Sequence, residues 1–573
     1  MKFNSKSLSN KSFHLCIRSA FAFVLTFYFA SPVFAQLQTV STTKSSISSD
    51  DSTVEQINLL VEQVWQDYEL KPSRMATDGE WCRRVFLDII GRVPSVEEAT
   101  AFIESREDDK KKKLVDSLLY DDKYTEEFAR NWTTVWTNLL IGRTGGNDRR
   151  SMINRAGMQK FLRDSFAREK PYDKMCHELV TATGTTTPGD KDFNGATNFL
   201  IDKVNEENAS LATAATTRIF MGLQVQCTQC HNHPFNDWKQ QKYWETNAFF
   251  RQVRAFGNAM QARDGGVARL ADQDFAGEAR NGDEEAEIFY EMRNGLVSVA
   301  YPVFIDGTEI DRSGLVNVVN RRKAFADMMI ESPYFDKSIA NRMWAHFMGY
   351  GFTSPVDDLG PHNAPKNPEL LNFLAREFRA TEFDMRRLMG WIALSKPYQL
   401  SSRRQGGNES DDPMLGEWPK FSHFYIRQME AEQLYESLLI ATEASNRGSY
   451  EEQERRKNRW LGQFSQAFGT DEGQESTSFN GTIPQVLMMF NGEMIKEAIS
   501  TEQGTLINRL ATSGKSYNKC VDHLFLAGLT RKPTSQEKRL AANFLSARGN
   551  DAREALRDVW WVVLNTNEFI FNH

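Results

Sequence analysis

Cysteine is scarce in this chain, with six residues in 573. A small exported scaffold stapled by disulfides carries far more, so this fold must rest on a buried apolar core. Beyond residue 35 five remain, Cys82, Cys176, Cys227, Cys230 and Cys520, an odd number that cannot pair completely. At least one is expected to be a buried thiol acting as a small hydrophobe. Long apolar runs are also few, and none approaches the about twenty residues that a membrane helix needs. Positive charge is not in excess: 69 Lys and Arg stand against 76 Asp and Glu, a formal charge of −7, which argues against nucleic acid as a partner. There is no phosphate-cradling loop, no G-x-S-x-G elbow and no H-E-x-x-H helix.

What is present begins with an address. Lys2, Lys6, Lys11 and Arg18 precede the apolar run of residues 20–30, and Val33-Phe34-Ala35 follows it. A charged region, an apolar region and small residues in that order read as a secretory signal peptide, residues 1–35, cleaved after Ala35. Cys16 lies ahead of the apolar run, which excludes a lipoprotein. Cleavage removes four positive charges and no negative ones, taking the formal charge from −7 to −11. The expected product is exported to the periplasm or cell envelope, with no transmembrane anchor. About 540 residues then suggest two to four domains, and 40% hydrophobic and 12% aromatic residues suffice for their cores.

Residues 36–53, rich in Ser and Thr, read as a flexible leader. Helical periodicity starts at Val54, with Ile57, Val61, Val64 and Trp65 on one face. Ser95 and Glu98 spell a capping box after Pro94. Lys110, Lys111, Lys112 and Lys113 open a helix over 110–119 and read as a solvated face. Tyr124, Phe128, Trp132 and Trp136 recur every four residues on one helix face, a stripe that suits an ordinary core first and the wall of a haem pocket second. Asn294-Gly295 joins two extended runs, 287–293 and 296–304, into a predicted β-hairpin. Helices are predicted again over 316–329, 334–348, 424–444, 484–500, 504–513, 517–526, 535–547 and 552–565. The expected fold is mostly α: a helical domain over 54–255, an irregular excursion with a β-hairpin over 256–311, and a second helical domain over 312–573.

One motif carries chemistry. Cys227, Thr228, Gln229, Cys230 and His231 spell C-x-x-C-H. Two thiols at that spacing add to the vinyl groups of a haem while the histidine supplies an axial nitrogen, so Cys227, Cys230 and His231 are candidate haem c ligands. His233 offers a rival set, Cys227, Cys230 and His233, suited to zinc or another transition metal. A plain disulfide between Cys227 and Cys230 is the third reading. His233 is too close to His231 to reach the opposite face of a porphyrin, so a distal ligand would come from His177, His346, His362 or a methionine. Asp357 and Asp358 ahead of His362 suit a divalent ion or acid–base work, or simply turn formation. Glu206, Glu207 and Asn208 suit either support for the ligand histidine or an acidic helix start.

The stretches WCRRVFLDIIGRVPSVEEATAFI, KKKLVDSLLYDDKYTEEFARNW and VNEENASLATAATTRIFMGLQVQCTQCHNHPFNDWKQQKYW resemble a planctomycete cytochrome-like family, domain of unknown function 1549. NRMWAHFMGYGF, VDDLGPHNAPKNPELLNFLAREF and WIALSKPYQLSSR resemble its companion, family 1553. The resemblance implies an exported protein of no assigned activity, and its cytochrome label rests on the cysteine motif. This chain lacks the extra N-terminal cytochrome c domain of longer relatives, and Asn367 stands where relatives commonly have His. Three functions therefore compete: a haem c electron carrier with exported redox or cell-envelope partners, a metal-dependent exported enzyme, and a non-catalytic cell-envelope interaction protein closed by a disulfide.

Overall fold

Capping chemistry sets the first helices. The computed structural model describes residues 48–573 apart from 147–150, 205–206, 236–237, 258–267, 280–284, 445–448 and 469–492, so the predicted signal peptide, 1–35, and most of the predicted leader lie outside the described residues. Helix α1 spans Ser48–Asp67 and α2 spans Asp78–Ile90, whose first turn is capped by the Thr77 side chain and whose end is Gly91 in the left-handed region (φ 76°). The Ser95–Glu98 capping box is formed and opens α3, Val96–Glu104. Helix α4, Lys110–Tyr120, leads to α5, Asp122–Ile141, which buries the whole Tyr124, Phe128, Trp132, Trp136 stripe. Trp132 also donates its ring N–H to the Ile89 carbonyl at 3.0 Å, so the stripe is core with its one polar atom satisfied.

Helices α6 (Arg155–Ala167), α7 (Tyr172–Thr181), α8 (Ser210–Met221) and α9 (Gln240–Asn247) follow. After the strands come α10 (Arg321–Glu331), α11 (Pro333–Met348), α12 (Pro368–Ala380) and α13 (Met385–Leu394). The fold is mostly α with small β elements. Strands β1 (Gly184–Thr185), β2 (Val253–Phe256) and β3 (Arg269–Asp272) form an antiparallel sheet in the order β1-β3-β2. Strands β4 (Ile288–Glu291) and β5 (Val297–Ala300) make the expected hairpin, with Tyr290 opposite Ser298 and Gly295 at φ 81°. Strand β6 (Arg427–Gln428) pairs with β7 (Phe571–Asn572), tying the last residues back to the middle of the chain.

The larger apolar core runs from Ile57 to Tyr425 and so draws on both halves of the sequence. A smaller one joins Leu87 and Val93 to residues between Met429 and Phe569. Helix α2 feeds both, Phe86 and Ile89 on one side and Leu87 on the other, and burial of each such side chain contributes about 1.5–3 kcal/mol. Between the cores Arg83 and Arg84 are fully buried, an arrangement tolerable only because their guanidinium groups donate to carbonyls. Arg83 reaches the carbonyls of Gly528 and Phe569, and Arg84 those of Leu400, Tyr398 and His573.

Some boundaries differ from expectation. Residues 48–53 are not leader but the first turns of α1, because Asp50 accepts from the Arg387 guanidinium and, at 2.7 Å, from the Trp391 ring N–H. The helix predicted from 316 begins at Arg321, where the Asn320 side chain accepts from the Lys323 N–H. The helix predicted from 424 begins at Ala431, because 427–428 pair with β7. The lysine run is only partly solvated: Lys110 pairs with Asp78 at 2.7 Å and Lys111 donates to Gln399 at 2.9 Å. Residues 258–267 and 280–284 of the excursion and the start of the predicted helix 484–500 lie outside the described residues.

Candidate functional site

Helix α8 delivers the motif. Its threonines bond back to the preceding turn, Thr213 to the Ala209 carbonyl at 3.1 Å and Thr217 to that of Thr213 at 3.0 Å. The helix stops at Gly222, whose φ of 62° suits glycine. A Cβ there would stand 2.9 Å from the Leu359 side chain, and the Gly222 carbonyl accepts from the Leu359 N–H at 2.7 Å. This is where a loop from the second half of the chain docks.

The motif itself lies on a single 3-10 turn, Gln226–Gln229, with Cys230 closing it. Thr228 points inward and donates to the Val225 carbonyl, whereas Cys227 and Cys230 are exposed free thiols. Helix α9 clamps the backbone: the Gln240 side-chain amide and the Trp244 ring N–H both donate to the Gln229 carbonyl, at 3.0 and 3.1 Å. The Gln240 backbone N–H donates to the Asn232 side chain at 2.9 Å. The thiols therefore project from a held backbone.

The two histidines of the segment are in different states. His231 Nδ1 lies 2.7 Å from the Asn232 carbonyl, which only accepts, so Nδ1 carries the proton and Nε2 keeps its lone pair. His233 Nδ1 accepts from the Phe235 N–H at 3.2 Å, which places the proton of the neutral ring on Nε2. Desolvation, and then the neighbouring His362, hold the His233 pKa below its ordinary value. Desolvation pushes the Cys227 thiol up, and the Asp358 carboxylate adds to that.

Asp358 and His362 come from the loop between α11 and α12. Asn341, fully buried on α11, fixes that loop: it donates to Thr353 Oγ1 and to the Val356 carbonyl, both at 2.8 Å, and accepts from the Phe352 N–H at 2.6 Å. The adjacent acids divide the work. Asp357 is buried and accepts from Arg218 at 3.1 Å and Gln224 at 2.6 Å, binding the loop to the end of α8. Asp358 is partly open and its Oδ2 lies 2.9 Å from His362 Nε2. The His362 and His233 rings are 4.7 Å apart between centroids. A cavity of about 130 Å³ adjoins this pair, lined by Leu223, Val225, Trp238, Lys242, Tyr334, Asp358 and His362 among others.

The candidate residues thus separate. His233 lies beside His362, and the Asp358 carboxylate acts on the Cys227 thiol, so the motif segment and this loop meet. His177 instead pairs with Asp327 at 3.0 Å, and His346 packs 4.9 Å from the Trp132 ring with Nε2 on the Asp88 carbonyl at 3.1 Å. Asn208 is in the left-handed region, and its carbonyl accepts from Asn247 at 3.1 Å. Glu206 lies outside the described residues. Asn367 is the N-cap of α12, accepting from the Leu370 N–H at 3.1 Å, a role its short amide performs well. Sequence reasoning missed Lys242 and Tyr334, which carry no motif and gain meaning only as cavity walls.

For a haem the donor set fits: two exposed thiols on one turn and a histidine with its Nε2 lone pair available. The cavity is smaller than the roughly 300 Å³ at which ligand pockets begin, so it does not itself enclose a porphyrin. For zinc on Cys227, Cys230 and His233 the fit is poorer. Among the described residues no three such donors converge on a metal-sized point, and the His233 Nδ1 lone pair is engaged.

Two families match the chain. That described as "PSCyt2: Protein of unknown function (DUF1549)" matches residues 56–255, and "PSD1: Protein of unknown function (DUF1553)" matches residues 321–478. No curated protein and no solved structure matches. The thiol motif lies within the first match and the Asp358–His362 loop within the second, and the chain belongs to the proteins that join these two families in one polypeptide.

Proposed function

We propose that Cys227, Cys230 and His231 hold a haem c and that the protein carries single electrons between exported redox or cell-envelope proteins. When bound, the haem supplies a one-electron couple at its iron. The chain's own residues supply attachment and orientation. The unpaired thiols stand on one turn, and the Asn232 carbonyl holds His231 in the tautomer that offers Nε2, the arrangement in which metal-bound imidazoles usually donate their other N–H. That pinned His231 beside two free, exposed thiols is the observation that carries the reading. Residues 1–35 supply the export that haem attachment to such a motif requires.

Expression with a cytochrome maturation system tests this. A Soret band and a haem stain that survives denaturing electrophoresis are expected, both lost in a C227S/C230S variant. Absence of both in the wild type, with a control cytochrome matured in the same cells, overturns the proposal. Mass analysis of the mature N-terminus checks cleavage after Ala35.

A further inference from the structure

We propose that the cavity beside His362 binds a small apolar monocarboxylate. Its lining comes from both family matches, with Val225 and Lys242 from the first and Tyr334 and His362 from the second, and it includes none of the C-x-x-C-H side chains. The floor is apolar, because Leu223, Val225 and Ile305 are all buried, while Gln224 and Pro361 stand exposed at the mouth. A volume of about 130 Å³ is close to that of an engineered apolar cavity of about 150 Å³ that binds benzene. The apolar body of the ligand is therefore no larger than that.

The charge of the ligand follows from the wall. Lys242 makes no ion pair among the described residues, and its ammonium lies 5.1 Å from the centroid of the Trp238 ring. It stands in the first turn of α9, the end of a helix whose dipole favours an anion, and the N-cap residue Lys239 places no side-chain cap there. The Tyr334 hydroxyl also has no hydrogen-bond partner among the described residues, and it can donate to a carboxylate oxygen. Asp358 acts in the opposite sense. His362 Nε2 occupies its Oδ2 at 2.9 Å, yet a carboxylate remains on the wall. A ligand with one carboxylate can direct it to Lys242 and lay its apolar body on the floor. A second carboxylate would meet Asp358, so the wall selects a single negative charge.

The test is calorimetric titration of the mature full chain with isobutyrate, which has as many non-hydrogen atoms as benzene. Isobutyramide, its neutral isostere, and succinate, a dianion, serve as comparators. One saturable equivalent of isobutyrate is expected, in the micromolar to millimolar range for so small a ligand. Both comparators should bind about tenfold more weakly or worse, the usual worth of a charge-assisted hydrogen bond. K242M should erase the preference for acid over amide with the thermal unfolding midpoint unchanged, since Lys242 holds no carboxylate of the fold. I305F, which fills the floor, should weaken isobutyrate as well, separating a cavity from an exposed charge. No saturable heat from isobutyrate overturns the proposal, and so does equal affinity for acid and amide or an affinity that K242M leaves undiminished. The haem stain judges the motif separately, and neither result decides the other.

Discussion

Two histidine–aspartate neighbourhoods in this molecule use the same residue types for opposite ends. In the first, Asp88 is 1% exposed, and its carboxylate accepts from Tyr398 at 2.6 Å, Asn572 at 2.8 Å and the Arg427 guanidinium, while its carbonyl meets His346 Nε2. Partners drawn from positions 346 to 572 make it a long-range clamp under the β6–β7 pair. In the second, Asp358 and His362 are four residues apart, with side chains 13% and 19% exposed beside a cavity and the His233 ring. A buried carboxylate that holds three donors from distant parts of the chain stabilises a fold and presents no open face to a ligand. A partly open one keeps such a face.

The sharpest way to break the comparison is stability. Asp88→Ala strands Arg427, Tyr398 and Asn572 in the core and should cost about 3–5 kcal/mol in urea unfolding, as breaking a buried pair does. Asp358→Ala should cost under about 1 kcal/mol. Equal losses would erase the distinction. Asn341→Ala should fall between, about 2–3 kcal/mol, because it leaves the Phe352 N–H without its acceptor.

Acid titration gives a smaller effect. Desolvation holds His346 and His423 below their ordinary value of 6.5. The unfolded chain then binds more protons than the folded one, so stability should fall as pH drops through about 6.5 and level off below the folded-state pKa values. His346→Gln should flatten that slope in unfolding measured from pH 7.5 to 5, and an unchanged slope would remove His346 from the account. The smallest expected effect is that of C227S/C230S. Both side chains are exposed, so stability should stay within about 0.5 kcal/mol of wild type while haem attachment is lost.

Local features were legible in the sequence. The Ser95–Glu98 box, the Asn294-Gly295 hairpin and the aromatic stripe of α5 each depend on residues within a few positions of one another, and each formed as read. Less legible were the starts of α1 and of the helix at Ala431, because Asp50 owes its place to Arg387, and β6 to β7 some 140 residues later. Of the site, the C-x-x-C-H spacing and the DDLGPH segment were each visible, but not that they meet. Asp357 and Asp358 look alike in sequence, yet one is structural and the other open, since Arg218 and Gln224 face only the first.

The sequence by itself therefore determined the helical class, the pairing of two families and the thiol motif, because periodicity, capping and spacing act over one or two turns. Only the tertiary structure decided that Gly222 lets Leu359 approach, that Asn341 and Asp357 pin the loop, and that His362 and Asp358 arrive beside His233. Contacts between residues more than a hundred positions apart are chosen by packing of the shared core, which no local pattern encodes.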